Sequence, residues 1–477
     1  MEHFNELLVW ENGSDVLDFK FESPDILVWP SIRYAVFSEI IKNKLNLQSL
    51  PITGGKLAMI KKLAYIYKTI KNSPFSLKRN FDFLFFSTTT GVCPNVGDKW
   101  LGRINDYFVL EYDEQSLVLA SSSAYRYNFP CVPKYVKCRD YFGFYPSLRS
   151  KMPGKISHDD SKTIKRLVSL LRKSWGNILK EQDYFFLETA LGNISRTLIY
   201  RRNLYLKLFN RIRPKILFVE NASYGGINAW IMKWAKEHGI VTCEFQHGCI
   251  GISYMYGEKL LRDKEYKKYL PDYLLLYGKY WSDLVSSPSR KIIIGNPHFS
   301  EKKREFDRVV RNNTVKTILI ISQWIVTDTM VNLAIQLARM YRGREYKITF
   351  RLHSGEIPFE GRYKSLNGIS NIQIDKDQDI YKLICDSDYI VGCSSSVLFE
   401  AAGLNKKVYV LENDASAAYI PQDIGLRFKE VKDLFDLIKK DAYKPMNNQE
   451  ILWADGWREN YRNFINQILE GRGVQGC

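Results

Sequence analysis

Residues 385–411 read CDSDYIVGCSSSVLFEAAGLNKKVYVL. A short apolar run, DYIVG (Asp388–Gly392), meets three serines, Ser394, Ser395 and Ser396. A helical pattern opens at Val397, and a second apolar run, KVYVL (Lys407–Leu411), closes the unit. Short apolar runs without alternation mark strands buried on both faces of a parallel sheet. Strand, helix and strand in succession are the repeating unit of a doubly wound α/β fold. The serines then stand at a strand's carboxyl end, where hydroxyls and the positive end of a helix suit a phosphate. Glu400, one turn further on, is placed to accept hydrogen bonds from a ribose. The same serines equally suit the N-cap of a βα loop.

Working outward, the unit repeats. TVKTILIIS (Thr314–Ser322), a helix over Met330–Arg342, KITFRL (Lys347–Leu352), NIQI (Asn371–Ile374) and a helix around Ile380–Cys385 precede it. A last helix spans about Gln449–Gly471. Upstream lie FDFLFFS (Phe81–Ser87), SLVLAS (Ser116–Ser121), KILFVE (Lys215–Glu220), a helix over Gly226–His238 and IVTCEF (Ile240–Phe245). DYLLLYG (Asp272–Gly278), a short helix near Tyr280–Val285 and KIIIG (Lys291–Gly295) follow. Asn296-Pro297 and the charged run EKKREFDRVVRNN read as a hinge. Two doubly wound domains facing across a cleft are expected. The division is an N-terminal extension at 1–80, a first domain at 81–297, a second at 298–448, and at 449–477 a helix able to cross back to the first.

The 477 residues carry 69 Lys+Arg against 52 Asp+Glu, a net charge of +17, with 45 % hydrophobic residues. Such a chain buries enough surface to order itself, and its length suits more than one domain. No apolar run is long enough to span a bilayer, and MEHFNELLVWENGSD does not read as a secretory signal. The eight cysteines form no C-x-x-C pair and fit a reducing cytosol. The charge is local. Residues 41–79 hold nine Lys/Arg and no acid; residues 151–215 hold fifteen against five; the rest is close to neutral.

In the first basic segment, Gly54-Gly55 opens a helix in which Met59, Ile60, Leu63, Ile66, Tyr67 and Ile70 form an apolar stripe, with Lys61, Lys62, Lys68 and Lys71 off it. Either the stripe packs on its own domain, or the helix lies in an anionic membrane surface. The second segment reads as two long helices, their basic faces either solvated or a track for an acidic acceptor or phospholipid. No nucleic-acid reader module is present, so nucleic acid is not expected.

Other strand ends carry chemistry too. KITFRL runs into His353-Ser354-Gly355, and IVTCEF into Gln246-His247-Gly248. KILFVE ends on Glu220, followed by Asn221, Ser223 and Tyr224. Two of only six histidines occupy such positions, one in each half. A carboxylate and a His facing a His and a serine cluster make a group-transfer site, with the base from one domain and the phosphate grip from the other. Asp386-Ser387-Asp388 and Asp375-Lys376-Asp377 match a D-x-D metal string. Asp386 and Asp388, however, lead into a strand at the end away from the serines, so no metal is expected. Gly225-Gly226 lacks phosphate-loop spacing.

The set EFQHGCIG, FRLHSGE and CDSDYIVGCSSSVLFEAAGLNKKVYVL resembles the GT-B glycosyltransferase superfamily of bacterial capsule and lipopolysaccharide synthesis. Its members include polysialyltransferases, capsule Kdo-transferases and teichoic-acid polyol-phosphate polymerases. The resemblance covers residues 215–412 and implies two Rossmann-like domains. It likens His353 to the His of a His-Pro motif, with Ser354 in place of proline, and Ser394–Ser396 to a Ser-Ser element that holds a cytidine nucleotide's phosphate. His247 is likened to a His-Gly histidine, and Ser322-Gln323 to the nucleotide-proximal loop.

The expectation is a cytosolic, metal-independent and cofactor-free enzyme, peripheral on the inner face of the plasma membrane. It moves a sugar from a nucleotide donor, CMP-linked by preference, to a glycan or lipid-linked glycan. Glu220, His247 and His353 are the expected catalytic residues, with Glu220 preferred as base. Ser322, Gln323, His353, Ser394, Ser395, Ser396 and Glu400 bind the donor. Gln246, Gly248 and Tyr224 orient substrate. A CDP-polyol phosphotransferase, a UDP-sugar transferase or epimerase of the same fold, and a non-catalytic basic binding protein are the rivals.

Overall fold

The computed structural model describes residues 2–22, 24–45, 47, 59–88, 92–96, 98–122, 127, 129–149, 156–250, 256, 264–307, 315–341, 345–353, 355–446 and 449–471. Gly54, Gly55, Ser354 and the side chains of Met59, Ile60, Lys61 and Lys62 lie outside the described residues.

Among the described residues two parallel sheets dominate. The first holds β1 (Phe83–Ser87), β2 (Ser116–Ala120), β3 (Val136–Cys138), β4 (Ile216–Glu220), β5 (Val241–Phe245), β6 (Tyr273–Leu276) and β7 (Arg290–Ile293), in the order β7-β6-β5-β4-β1-β2-β3. The second holds β8 (Lys316–Ile321), β9 (Tyr346–Arg351), β10 (Ile372–Asp375), β11 (Tyr389–Gly392), β12 (Lys407–Leu411) and β13 (Leu426–Phe428), in the order β10-β9-β8-β11-β12-β13. Each chain path starts mid-sheet, winds to one side, then crosses over and winds to the other. The reversals fall between β1 and β4 and between β8 and β11. A crevice at such a switch point, outside the strands' carboxyl ends, is where this fold receives ligands.

The strands form where the sequence is apolar on both faces. All five residues of β1 and of β4 are buried, as are all four of β11. Helices cover both faces, as parallel sheets require. On one face of the first sheet, α1 (Glu2–Gly13), α2 (Trp29–Lys44), α4 (His158–Trp175), α5 (Glu181–Ile212) and α6 (Ile227–Glu237) share one core. The N-terminal region is mostly helical and is tied down by a buried ion pair. Arg33 Nε lies 2.6 Å from Glu11 Oε1, which also accepts from Trp29 Nε1 at 2.6 Å. The other face is covered by the C-terminal helix α9 (Trp457–Leu469). Its Trp457, Tyr461, Phe464 and Ile465 pack against Phe83, Phe85, Phe218 and Phe245. The crossing chain runs close: a Cβ on Gly295, at φ +84°, would sit 2.5 Å from the Ala454 carbonyl oxygen.

The two sheets are joined by apolar packing in which Leu276, Trp281 and Phe299 meet Leu398, Phe399 and Trp453. Two doubly wound domains facing across a shared cavity, with a helical N-terminal region, constitute the GT-B architecture.

The stripes of α4 and α5 turn inward, burying Ile164, Leu167, Leu171, Leu198 and Tyr205. The helix α3 (Met59–Lys71) does the reverse: Leu63, Tyr67 and Ile70 are 59 %, 63 % and 53 % exposed. Of the stripe's described side chains, Leu63, Tyr67 and Ile70 are therefore not packed on the domain, while Ile66 is half-buried. Tyr65 and Thr69 face the protein instead, because the surface they meet offers Asp140 and Tyr127 as hydrogen-bond partners. No helix among the described residues is long and apolar enough to cross a membrane.

Candidate active site between the two domains

In the second domain the switch-point crevice is laced by side chains read from the sequence. Gln323, just past β8, donates from Nε2 to the Ser394 carbonyl at 3.1 Å and accepts from Ser394 Oγ at 2.7 Å. The loops after β8 and β11 are thereby held as one rim. Ser395 Oγ accepts the Val397 amide at 3.3 Å, at the start of the short helix α8 (Val397–Gly403). Ser396 faces the cavity between the domains. Ser322 is buried and pairs with Tyr363 Oη at 3.3 Å, which turns it away from the crevice. His353, exposed beyond β9, accepts the Gly355 amide on Nδ1 at 3.1 Å. That bond leaves the neutral ring's proton on Nε2, a donor. Buried Glu356 holds the turn by accepting the His353 amide at 2.8 Å.

Glu220 sits at the first domain's own switch point, only 3 % exposed. It accepts from the Thr88 amide at 2.9 Å, from Thr88 Oγ1, from Asn105 Nδ2 and from Ser87 Oγ at 3.3 Å. These bonds stitch β1 to β4 and enclose the carboxylate; it does not face the interdomain cavity. Burial pushes Glu220 up to about 7, against the opposing pull of the Thr88 bonds. Gln246 is fully buried and likewise structural. It donates to the Gly248 carbonyl at 2.9 Å and accepts the Tyr277 amide at 2.9 Å, bracing the loops after β5 and β6. Tyr224 packs its ring edge-on against His247, centroids 5.0 Å apart, and stacks on Tyr34 at 4.8 Å.

The cavity between the domains brings together Arg103, His247 and Gly248 from the first half with His298, at the start of the second, and Ser396 and Glu400. Burial pushes His247 down to about 4, against a hydrogen bond to the Phe245 carbonyl, so the ring is neutral near pH 7. Its Nδ1 is buried and without a hydrogen-bond partner among the described residues. His298 is also pushed down to about 4, by burial and then by the Arg103 and Lys302 cations; its Nδ1 lies 3.1 Å from Tyr107 Oη. Glu400 is pushed up to about 7 by burial, although Arg103 and a bond from Tyr381 favour its anion. Two neutral imidazoles, a guanidinium and a carboxyl group poised near neutrality form a site whose charge state responds to an entering anion. A phosphate there raises the proton affinity of both imidazoles.

Arg103 and His298 were not among the residues singled out from the sequence. His298 follows KIIIG, a strand end like the others, but the adjacent Asn296-Pro297 suggested a hinge. Asn296 is instead the N-cap of α7 (Pro297–Phe306), its side chain accepting the Phe299 amide at 3.0 Å. Arg103 follows a hairpin, Val92–Val96 with Lys99–Gly102, that no apolar run announces. The D-x-D strings hold the fold elsewhere. Asp388 Oδ2 accepts the Thr317 amide at 2.8 Å at the amino end of the second sheet, and Asp375 pairs with Arg351.

No protein-family model matches the chain, and no curated protein matches it. Among solved structures, UDP-GlcNAc 2-epimerase from Neisseria meningitidis bound to UDP-GlcNAc aligns at 13 % identity and TM-score 0.46, over 82 % of this chain and 100 % of that one. MnaA of S. aureus with UDP aligns at 13 % identity and TM-score 0.43, over 84 % and 99 %. A variant of the wall teichoic acid polymerase TagF soaked with CDPG aligns at 14 % identity and TM-score 0.43, over 87 % and 98 %.

Proposed function

We propose that this protein is a GT-B glycosyltransferase that moves a sugar from a nucleotide-activated donor, CMP-linked by preference, to a hydroxyl of a glycan or lipid-linked glycan. The setting is bacterial surface-polysaccharide synthesis, at the cytoplasmic face of a membrane. The observation that carries the reading is the meeting of the laced Gln323–Ser394 rim and the Arg103, His247, His298 and Glu400 cavity at one interdomain cleft.

In this scheme the nucleotide phosphate lies against Ser396 and the Gln323–Ser394 rim. The Nε2–H of His353 donates to the departing phosphate oxygen. The acceptor hydroxyl oxygen bonds to the anomeric carbon as the bond from that carbon to the phosphate oxygen breaks. The hydroxyl proton passes to His247, whose neutral ring lines the cavity and suits a general base. Glu220, enclosed by four donors, is assigned to position the 87–105 wall instead. Arg103 offsets phosphate charge, and no metal ion has a role.

The test is a thermal-shift screen of CMP, CDP, UDP, GDP and their sugars, followed by a transfer assay with the nucleotide that binds. One nucleotide alone raising the melting temperature by several degrees supports the reading and identifies the base. No shift with any nucleotide sinks it. Full transfer or donor hydrolysis by His353→Ala removes His353 from the phosphate.

A further inference from the structure

We propose that the outer faces of α3 and α5 form one docking surface for an anionic lipid bilayer, which extends the peripheral location above and stands apart from the sugar-transfer chemistry. The first observation is the inverted amphipathicity of α3. Tyr65 Oη donates inward to Asp140 Oδ2 at 3.0 Å, and Thr69 Oγ1 meets Tyr127 Oη at 3.0 Å, while Leu63, Tyr67 and Ile70 face outward. Water selects the opposite arrangement, so an apolar ridge left outside implies a non-aqueous partner. Lys68 and Lys71 are exposed beside the ridge, with Lys71 Nζ 5.8 Å from the Tyr67 ring centre.

The second observation lies on α5. Phe185 and Phe186 are each 73 % exposed, and Ile199 and Tyr200 are 36 % and 40 % exposed. At 100° per residue these share one side of the helix with Arg196 and Lys207, a strip of about 33 Å. Among the described residues, five of the seven large apolar side chains that are at least half exposed lie in the two segments that carry the net charge; the others are Val9 and Tyr443.

The C-terminal end of the α5 strip adjoins the chain that follows α3. Lys207 Nζ sits 5.5 Å above the Phe75 ring, and Arg211 Nε donates to the Leu77 carbonyl at 2.8 Å, just beyond the end of α3. Around Phe185 the helix carries Glu181, Asp183 and an exposed Glu188, and no Lys or Arg before Arg196. Glu181 pairs with Arg172 at 3.0 Å, and Asp183 accepts the Lys180 amide at 2.8 Å, so the basic part of this surface is α3 and the C-terminal half of α5. Charge chooses the occupant. The Leu63, Tyr67 and Ile70 tips beside Lys68 and Lys71 suit the boundary between anionic headgroups and acyl chains, and Phe185 and Phe186 add apolar contact without charge of their own. A second copy would bring like charges together, and nucleic acid gives Leu63 and Ile70 nothing to bury against.

The experiment is co-sedimentation of the full chain with vesicles of phosphatidylcholine alone and of phosphatidylcholine mixed with phosphatidylglycerol. Binding is expected only to the mixed vesicles, and added salt weakens it. Lys68→Gln with Lys71→Gln lowers the partition coefficient about 25-fold, some five-fold per lysine. Phe185→Ser with Phe186→Ser, and separately Leu63→Ser with Ile70→Ser, lower it by about ten-fold or more. Lys439→Gln with Lys440→Gln, in the second domain, leaves it unchanged. The inference is overturned if the wild type does not sediment, if anionic lipid makes no difference, or if neither apolar pair matters. It is also overturned if lipid-free protein is a dimer that Leu63→Ser with Ile70→Ser dissociates. Transfer to a soluble acceptor is expected to persist in every variant, so failure here and failure of the sugar-transfer reading are told apart.

Discussion

Replacing Glu220 by glutamine separates a positioning carboxylate from a catalytic one. In the folded chain this group is held at about 7 by burial, against an ordinary value of 4.5. A carboxyl raised on folding stabilises the native state most below its unfolded pKa, and that stabilisation is lost as pH rises toward the folded value. The 2.5-unit difference corresponds to about 3 kcal/mol at 1.36 kcal/mol per unit. Glutamine cannot ionise, and any offset from placing an amide among the Thr88, Asn105 and Ser87 donors does not depend on pH. Glu220→Gln is therefore expected to gain about 3 kcal/mol relative to wild type between pH 4 and pH 7.5, most of it between pH 5 and pH 7. Denaturant unfolding of both proteins across that range, followed by a first-domain signal, reads the difference. Transfer by the variant is expected to stay within about ten-fold of wild type, since the carboxylate does not face the cleft. A stability difference flat in pH, together with a loss of transfer beyond about a hundred-fold, would refute the argument and return Glu220 to the role of base.

His247→Ala is expected to lower transfer by about 100- to 10,000-fold while the nucleotide-induced rise in melting temperature remains, as a base that does not hold the donor requires. Gln323→Ala breaks both bonds to Ser394 and is expected to weaken nucleotide binding about ten-fold, measured by calorimetry, because the rim loses two hydrogen bonds of about 1 kcal/mol each. Tyr461→Ala empties a buried site between Phe108 and Phe218 and is expected to cost about 3–5 kcal/mol, read as a lower denaturant midpoint.

Much of the fold was legible because fully buried parallel strands announce themselves. FLFFS, ILFVE and KVYVL are apolar whichever face they present, so their reading needs no knowledge of neighbours. The elements that escaped are short or polar: β3, the Val92–Val96 hairpin and β13 become strands only through pairing with chain far away. The strand-end rule brought Ser394, Ser396, His247, Glu400 and Gln323 to the cleft region. It could not foresee that Glu220, Gln246 and Ser322 turn away from it, because side-chain direction at a strand end depends on which donors the adjacent loop supplies.

The sequence by itself determined two doubly wound sheets, the loops that carry polar chemistry, and the confinement of net charge to two segments. Each is a matter of composition and period along the chain, which needs no partner to be real. Only the tertiary structure decided which of those loops share a cavity, which added Arg103 and His298 to them, and which way α3 faces. An amphipathic helix has two sides in any sequence. Tyr65 and Thr69 turned inward because Asp140 and Tyr127 stood ready to bond them, and Leu63, Tyr67 and Ile70 were left to the outside with Lys68 and Lys71.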